Sequence, residues 1–432
     1  MLVTLSLSKS LSHKVLAINS CETVDCVVFL QLCAEASFKL HFEPTKEVGL
    51  HIGAPKGFLS SDVLATYLKS LTPELVSSLT SSYRNPQILS EFKVASSRFV
   101  SHLTGLKEPN VHALPGLKQL SALVKSWLNS QKIPLDQIDV VTLTPGYRAS
   151  FYHFTEAVTI KAVNGLWVAP EKIIEDLKGH VIQSALDGRK VVIWWQASNP
   201  LGLILSTKLQ DELRSFLIKQ EHVVVLAEDH AYAGMSRDVQ SESLFSPLVD
   251  AVTPKLVLIG SSMSKIANCG GDNGGLVWGN FLDGFMQDFI NVECSGISKS
   301  MLHKHAYVLN HMLSDGMRSI ESKVNDLLSL TDALADKFNA ASITATKPEI
   351  GPFIVLDFSN FKGQIEGPVF EWLRSHKLLT LPLESADITK LPNCEAVLDT
   401  SAIVRTAWCG FEDSESAHRV ADQIISLVEG FN

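Results

Sequence analysis

Nothing in this chain of 432 residues forms a CxxC pair, a long run of one charge, an internal repeat or a low-complexity tract. Each absence removes a class of protein. The seven cysteines (Cys21, Cys26, Cys33, Cys269, Cys294, Cys394 and Cys409) are scattered and odd in number, which fits a reduced compartment better than a disulfide framework. The net charge of −9 is spread without blocks, which argues against nucleic acid or an anionic membrane as the main partner. The first ~20 residues hold Lys9, His13 and Lys14 but no basic cluster leading into an apolar block, so they make a poor secretion signal. An organelle-targeting role for them stays open. The apolar run from Cys26 to Phe42 is interrupted by Glu35 and Lys39 and is too short to span a bilayer, so it reads as a packed helix or strand. The expectation is a soluble, cytoplasmic protein.

What is present is enough for a large core: 46% of the residues are apolar. The length predicts two or three structural units. Val48 to Pro55 reads as a short strand and turn. Ser60 to Leu71 has helical spacing, with Ser60 and Ser61 as caps. Pro115-Gly116 leads into an amphipathic helix bearing Leu117, Leu120, Leu123, Val124 and Trp127. From residue 139 short apolar strands alternate with helices. The strands are Val140 to Leu143, Val191 to Trp195, Val223 to Leu226, Leu256 to Ile259 and Gly275 to Trp278. The helix between the second and third runs from Ser206 to Gln220. This pattern predicts an α/β fold: a mostly parallel sheet covered on both faces. A long helical region from Ser298 to Ala340 follows. Strands at Gly351 to Asp357 and Ala402 to Thr406 come next, with helices at Val369 to His376 and Ser414 to Glu429. The expected organisation is an N-terminal segment (1–54) packed with a small C-terminal α+β domain (301–432), and a large domain between them (55–300).

In such sheets ligands bind beyond the C-terminal strand ends, and the polar motifs fall there. Asn199-Pro-Leu-Gly202, Asp229-His-Ala-Tyr232 and Ser262-Met-Ser-Lys265 each close an apolar strand. A lysine that attaches to an aldehyde cofactor must be weakly solvated. A pyridine nitrogen needs a carboxylate partner, and a phosphate needs helix N-terminal amides with hydroxyls or a cation. Taken singly these motifs are ordinary turns and surface residues. Their order, each at the end of its own strand, makes a site.

Together they resemble the fold-type I pyridoxal-phosphate enzymes, the class I/II aminotransferase group, from about Val48 to the C-terminus. The resemblance implies that Lys265 is the Schiff-base lysine and that Asp229 partners the pyridine nitrogen of pyridoxal 5'-phosphate. Tyr232 and Asn199 would bond the ring oxygen, and Ser262 would bond the phosphate. Gly146, Tyr147 and Arg148 fall at the family's phosphate-cradling turn, and Arg405 matches the arginine that grips the substrate carboxylate. It further implies an amino-acid substrate, a 2-oxo acid acceptor and a homodimer. Two departures stand out. Asn273 occupies the position of the family's phosphate-binding arginine, and the interval from Gly146 to Asn199 is short for the family. That interval leaves Trp167, in Trp167-Val-Ala-Pro170 before a helix from Glu171 to Gln183, as the candidate ring-stacking aromatic. His230 reads as a packing neighbour or a contact on the ring face. Trp194 and Trp195 read as sheet core, Cys269 as inert, and His303 and His305 as poor metal ligands. The leading expectation is an aminotransferase. A lyase or cyclase of specialised amino-acid metabolism and a degenerate, non-catalytic family member are the alternatives.

Overall fold

The computed structural model describes residues 48–50, 61–81, 86–151, 153–154, 157–251, 253–267, 274–281, 283–294, 296–391, 394, 400–411 and 413–431. In chain order its strands are β1 (Val48–Gly49), β2 (Val111–Leu114), β3 (Ile138–Thr144), β4 (Thr159–Asn164), β5 (Lys190–Trp195), β6 (Val223–Asp229), β7 (Leu256–Ser262), β8 (Gly275–Gly279), β9 (Thr344–Ala345), β10 (Phe353–Asp357), β11 (Leu378–Leu379), β12 (Leu381–Pro382) and β13 (Ile403–Ala407). The helices are α1 (Ser61–Ser70), α2 (Pro73–Ser81), α3 (Pro86–Thr104), α4 (Gln119–Ser130), α5 (Pro170–Leu186), α6 (Thr207–Lys219), α7 (Asp283–Glu293), α8 (Lys299–Ser314), α9 (Arg318–Ala340), α10 (Val369–Ser375) and α11 (Ser414–Glu429).

The large sheet is seven-stranded, in the order β2-β8-β7-β6-β5-β3-β4. The run from β7 to β4 is parallel, and β8 opposes both of its neighbours. Both faces are covered, so successive residues of one strand enter different cores. Val191, Ile193 and Trp195 pack with α3, α5, α6 and α8. Val192 and Trp194 pack on the opposite side with α4 and α7. The expected α/β class with a mostly parallel sheet is what the chain adopts.

A second, antiparallel sheet has the order β12-β13-β10-β9. Its residues also alternate: Phe353, Val355, Ile403 and Ala407 join the core of the large sheet, while Ile354, Leu356 and Val404 join a third core. That third core takes in Leu50, and β1 pairs in parallel with β11. The β1-β11 pair is a separate two-stranded sheet, and the Ala407 amide of β13 donates to Leu50 O at 2.7 Å, which ties the polypeptide around Val48 to the small sheet. The expected helical region from Ser298 to Ala340 is two helices, because Gly316 and Met317 adopt positive φ angles of 67° each and break the run.

Four expectations need correction or fall elsewhere. The strands β2 and β4 and the helices α2 and α3 were not anticipated. The stretch after Gly146, expected as a helix, is only a short 3-10 turn, Arg148–Phe151. The interval between Gly146 and Asn199 contains the full strand β4 as well as α5. The expected caps of α1 and the apolar run from Cys26 to Phe42 involve residues outside those described. Among the described residues no helix is long and apolar enough to cross a membrane.

At the far end of the sheet from the motifs, Asp139 is fully buried. It is bonded by Ser184 Oγ at 2.6 Å, by Lys161 Nζ at 2.9 Å and by Arg189. Burial alone would raise its carboxyl, but Ser184, Lys161 and Arg189 outweigh that and hold it below the usual range. Asp139→Asn should cost about 3 kcal/mol, since it strands a buried cation. A depressed native value means that the wild-type advantage is complete above the unfolded carboxylate range and fades as pH falls through the native one. Urea melts at pH 7 and in acid test both the size and the sign.

Candidate functional site

The site forms where the C-terminal ends of β5, β6 and β7 meet one face of the small sheet. Asp229 ends β6 and is 7% exposed. Its Oδ2 accepts a 2.6 Å bond from Ser150 Oγ, which lies in the turn after β3. Burial raises the carboxyl to about 6, against the opposing pull of Ser150, His230 and the Ala231 amide. Few structural acids sit in that state, which is why perturbed carboxylates mark functional clefts.

Tyr232 follows on the same turn, with its phenol raised well above its ordinary value by burial. Its ring meets Phe353 edge-to-face, with centroids 5.1 Å apart. Lys265 Nζ lies 5.5 Å from the Tyr232 ring centroid. Desolvation lowers the Lys265 amine; Cys409 opposes this, Arg405 reinforces it and Asp229 opposes it. Desolvation thus shifts the Lys265 amine toward the neutral form that covalent chemistry requires.

Arg405 projects from β13 between Ile403 and Ala407, both of which pack toward the large sheet. Its guanidinium carbon stands 4.1 Å above the Phe353 ring, and Nη1 donates to Asn199 Oδ1 at 2.9 Å. The Phe353 platform follows from register: Arg405 pairs with Val355, which places Phe353 diagonally beside it on one face. Asn199 opens a cis peptide bond to Pro200 at the end of the β5 turn. Lys265, Tyr232, Phe353, Arg405 and Asn199 are thus contiguous, and Asp229 sits within electrostatic range of Lys265.

The phosphate-side residues are not brought together as expected. Ser262 ends β7, and its Oγ accepts from the Ser264 amide at 3.2 Å. Opposite it is Gly275, where an added Cβ would lie 3.3 Å from both the Gly116 carbonyl carbon and the Leu117 nitrogen. Ser262 therefore neighbours the turn that starts α4. Gly146 lies at the end of β3, three strand positions from β7, or about 14 Å at ordinary spacing. Its amide is bonded to Ala386 O at 2.7 Å, and the Tyr147 amide to Gln196 Oε1 at 3.0 Å. An added Cβ on Gly146 would come within 2.2 Å of Gln196 Nε2, so a larger residue there would have to push the Gln196 side chain aside. Arg148 Nη1 reaches toward Glu384 O at 3.4 Å. One phosphate cannot touch both Ser262 and the turn at Gly146, Tyr147 and Arg148. This corrects the expected phosphate turn.

Tyr147 instead belongs with the other end of the site, since it lies within electrostatic range of Tyr232 and Arg405. It is 41% exposed and so presents an aromatic face at the rim. Trp167, the expected stacking residue, is 44% exposed beyond the edge strand β4, with a positive φ of 53°. That places it three strands from Asp229 in the sheet. Asn273 and Cys269 lie outside the described residues. Ser150, Gln196, Phe353 and Cys409 were not anticipated; only the period-2 register of β10 with β13 carried any signal, and only for Phe353.

Several solved structures share the fold. The aromatic aminotransferase of Pyrococcus horikoshii OT3 is 14% identical, with a TM-score of 0.66, over 91% of this chain and 98% of that one. A PLP-bound C-S lyase from Staphylococcus hominis is 15% identical, with a TM-score of 0.67, over 90% and 94%. A putative PLP-dependent beta-cystathionase of Corynebacterium diphtheriae is 14% identical, with a TM-score of 0.69, over 92% and 96%. Identities this low establish shared fold, not shared substrate. Among curated protein sequences none matches the chain. The family model described as aminotransferase class I and II matches residues 45–364, most of the chain and every strand of the large sheet, and the chain therefore belongs to that family.

Proposed function

We propose that this protein is a pyridoxal-phosphate-dependent enzyme that acts on an amino acid and transfers its amino group to a 2-oxo acid. The observation that carries the reading is Lys265: a desolvated amine 5.5 Å from the Tyr232 ring centroid, in the field of the buried Asp229 carboxylate. The residues present fit the ring and aldehyde ends of the cofactor. A buried carboxylate suits a pyridine nitrogen, Tyr232 and Asn199 suit a ring oxygen, and Lys265 suits an aldehyde carbon. When bound, pyridoxal phosphate supplies an aldehyde that joins amines and a ring that withdraws electrons from the substrate Cα.

The protein's own residues do the rest. Lys265 Nζ would hold the aldehyde end of the cofactor, and the same nitrogen would take up and return the Cα proton. Desolvation shifts this amine toward its neutral form, the form that both roles need. Asp229 keeps the ring nitrogen protonated through a charge-assisted bond. Arg405, steadied by Asn199 and the Phe353 face, grips the α-carboxylate and orients Cα. Tyr147 would offer its aromatic face to the ring from the rim, and Ser262 with the start of α4 would receive the phosphate. The family resemblance supports a homodimer.

A second reading keeps the site and changes the outcome. The similarity to a C-S lyase and a putative beta-cystathionase is as close as that to an aminotransferase, so loss of a substituent from the substrate side chain is the rival reaction.

Lys265→Ala should abolish the visible absorbance that develops when pyridoxal phosphate is added, and should lower turnover by about 10³-fold or more. Wild-type protein that develops no such absorbance would mark a non-catalytic family member. Product formation with no 2-oxo acid present would favour the lyase over the transferase.

Arg405→Ala should cut kcat/KM for amino acids by roughly 10- to 100-fold, as expected for a lost charge-assisted pair. The same variant should leave the cofactor absorbance in place. Steady-state kinetics set against the corresponding amines, which lack the carboxylate, separate this grip from general damage: the variant should barely affect them.

Asp229 gives a test of sign in the cofactor-free protein. Its native value of about 6 is raised, so its stabilising effect is complete below the unfolded carboxylate range and is lost as pH rises through 6. Asp229→Asn should therefore be more stable than wild type at pH 8, by roughly 1–3 kcal/mol, and should lose that advantage near pH 4. Denaturant melts at the two pH values decide it. An Asn variant that is less stable than wild type at pH 8 would refute the buried, strained carboxylate.

A further inference from the structure

Behind Asp229 lies a second set of buried charges that the proposed chemistry leaves unused. Side chains alternate along an extended segment, so Glu228 and His230 flank Asp229 and point to the other face. Glu228 is 1% exposed and accepts from Ser243 Oγ at 2.7 Å, the Leu244 amide at 3.1 Å and the Phe245 amide at 3.0 Å. Glu242 accepts from the amides of Gly234 at 2.7 Å and Ser236 at 2.8 Å. The His230 ring lies between these carboxylates. Its Nε2 is 3.1 Å from Glu242 Oε2, and its Nδ1 is 3.8 Å from Glu228 Oε1.

Each ring nitrogen of His230 therefore faces a carboxylate. A neutral imidazole would turn a lone pair toward one of them, whereas the imidazolium presents a proton to both. Burial disfavours the cation, but Glu242, Glu228 and Asp229 outweigh it, so the ring holds its proton more tightly than usual. A cavity with about 10 Å³ open to the centre of a water joins the two sets of charges. Its walls include Ser198, Glu228, Asp229, His230 and Glu242. That volume suits one bridging water.

We propose that His230, clamped as a cation between Glu242 and Glu228, is a positioning residue for Asp229: it offsets the charge of that carboxylate from behind and fixes the turn that carries Tyr232. The turn is closed by the Ala233 amide on His230 O at 3.0 Å and the Met235 amide on Tyr232 O at 3.1 Å, while Glu242 holds the amides of Gly234 and Ser236. Without the cation, Asp229, Glu228 and Glu242 would form an acidic cluster. The cation in range on the cofactor side is Lys265, whose own amine is lowered. Asp229 would then take up a proton and cease to serve as an anion. The role of Asp229 here rests on the reading given under Proposed function.

The test follows the Asp229 carboxyl by ¹³C NMR across pH in the cofactor-free protein, with Asp229→Asn identifying the signal. His230→Gln should raise its midpoint by about one pH unit or more, a tenfold gain in proton affinity. His230→Lys, which retains a cation, should stay nearer wild type. Glu242→Gln should lower the midpoint of the His230 ring itself. An Asp229 midpoint unmoved in a folded His230→Gln protein overturns the proposal; if His230→Gln does not fold, a His230 ring midpoint left unmoved by Glu242→Gln overturns it instead. A midpoint that shifts as expected in a protein that never gains Lys265-dependent absorbance upholds the charge coupling and refutes the cofactor reading instead.

Discussion

A carboxylate held out of water must have its charge settled by whatever surrounds it. Two buried acids show the two ways this chain does so. Asp139 is met by Lys161, Arg189 and Ser184, and its carboxyl is held low. It is a structural ion, paired on all sides. Asp229 is met directly by the Ser150 hydroxyl and the Ala231 amide, with its counter-charges placed behind it or across the site, and its carboxyl rises to about 6. Only an under-compensated acid has affinity left for an incoming cation. The same desolvation lowers the Lys265 amine. One physical condition at the rim of the large sheet thus prepares both an acid in want of a positive partner and an amine free to form a bond.

The small sheet completes that rim and encloses it. Alternation along β10 and β13 sends Phe353 and Arg405 toward the large sheet while their neighbours fill a separate core. The approach is fixed by backbone bonds between segments far apart in sequence. The Gly351 amide donates to Met235 O at 3.0 Å, and the Glu349 amide donates to Gly202 O at 2.7 Å. Gly351 has a φ of 80°, and an added Cβ there would touch the Tyr232 ring at 3.6 Å. The strand bearing the Phe353 platform is therefore tied to the same two turns that carry Tyr232 and Asn199. Any movement of the small sheet carries Arg405 relative to Lys265.

Strands β3, β5, β6 and β7 were readable because they are continuous apolar runs, as expected for strands covered on both faces. The residues at their ends were readable for the same reason, since a polar group after such a run stands out. Other strands were not. Lys161 breaks the apolar pattern of β4, and its ion pair with Asp139 is a tertiary fact no local window contains. The four residues of β2 include His112, which bonds Asp283. Sheet order was the larger loss. A short apolar segment ending in Pro-Gly occurs twice, at Leu114 to Gly116 and at Thr144 to Gly146. The local pattern at the two is alike. Only the strand order shows that the first abuts Ser262 through β8 and the second lies beyond β5. The apparent shortness of the interval before Asn199 came from starting at the second turn, and β4 within it removes the anomaly.

Moving that turn changes what limits the substrate. With Tyr147 exposed and within electrostatic range of Arg405, an aromatic side chain and a buried cation lie close together. Gln196 pins the turn from below, accepting from the Tyr147 amide and filling the space that a Cβ on Gly146 would need. The Tyr147 backbone is thereby fixed while its ring stays accessible. A substrate carboxylate held by Arg405 would place its Cα over the Lys265 side and its side chain toward the rim. Groups that read the side chain then come from the β3 turn and the loop around Glu384, to which Arg148 reaches. If Arg405 and Lys265 act as proposed, carboxylate grip and proton movement would sit on residues held between the two sheets, and side-chain selection would fall to a turn at their edge. Because Ser150 in that same turn donates to Asp229 Oδ2 at 2.6 Å, a change in the turn would also be felt at the carboxylate.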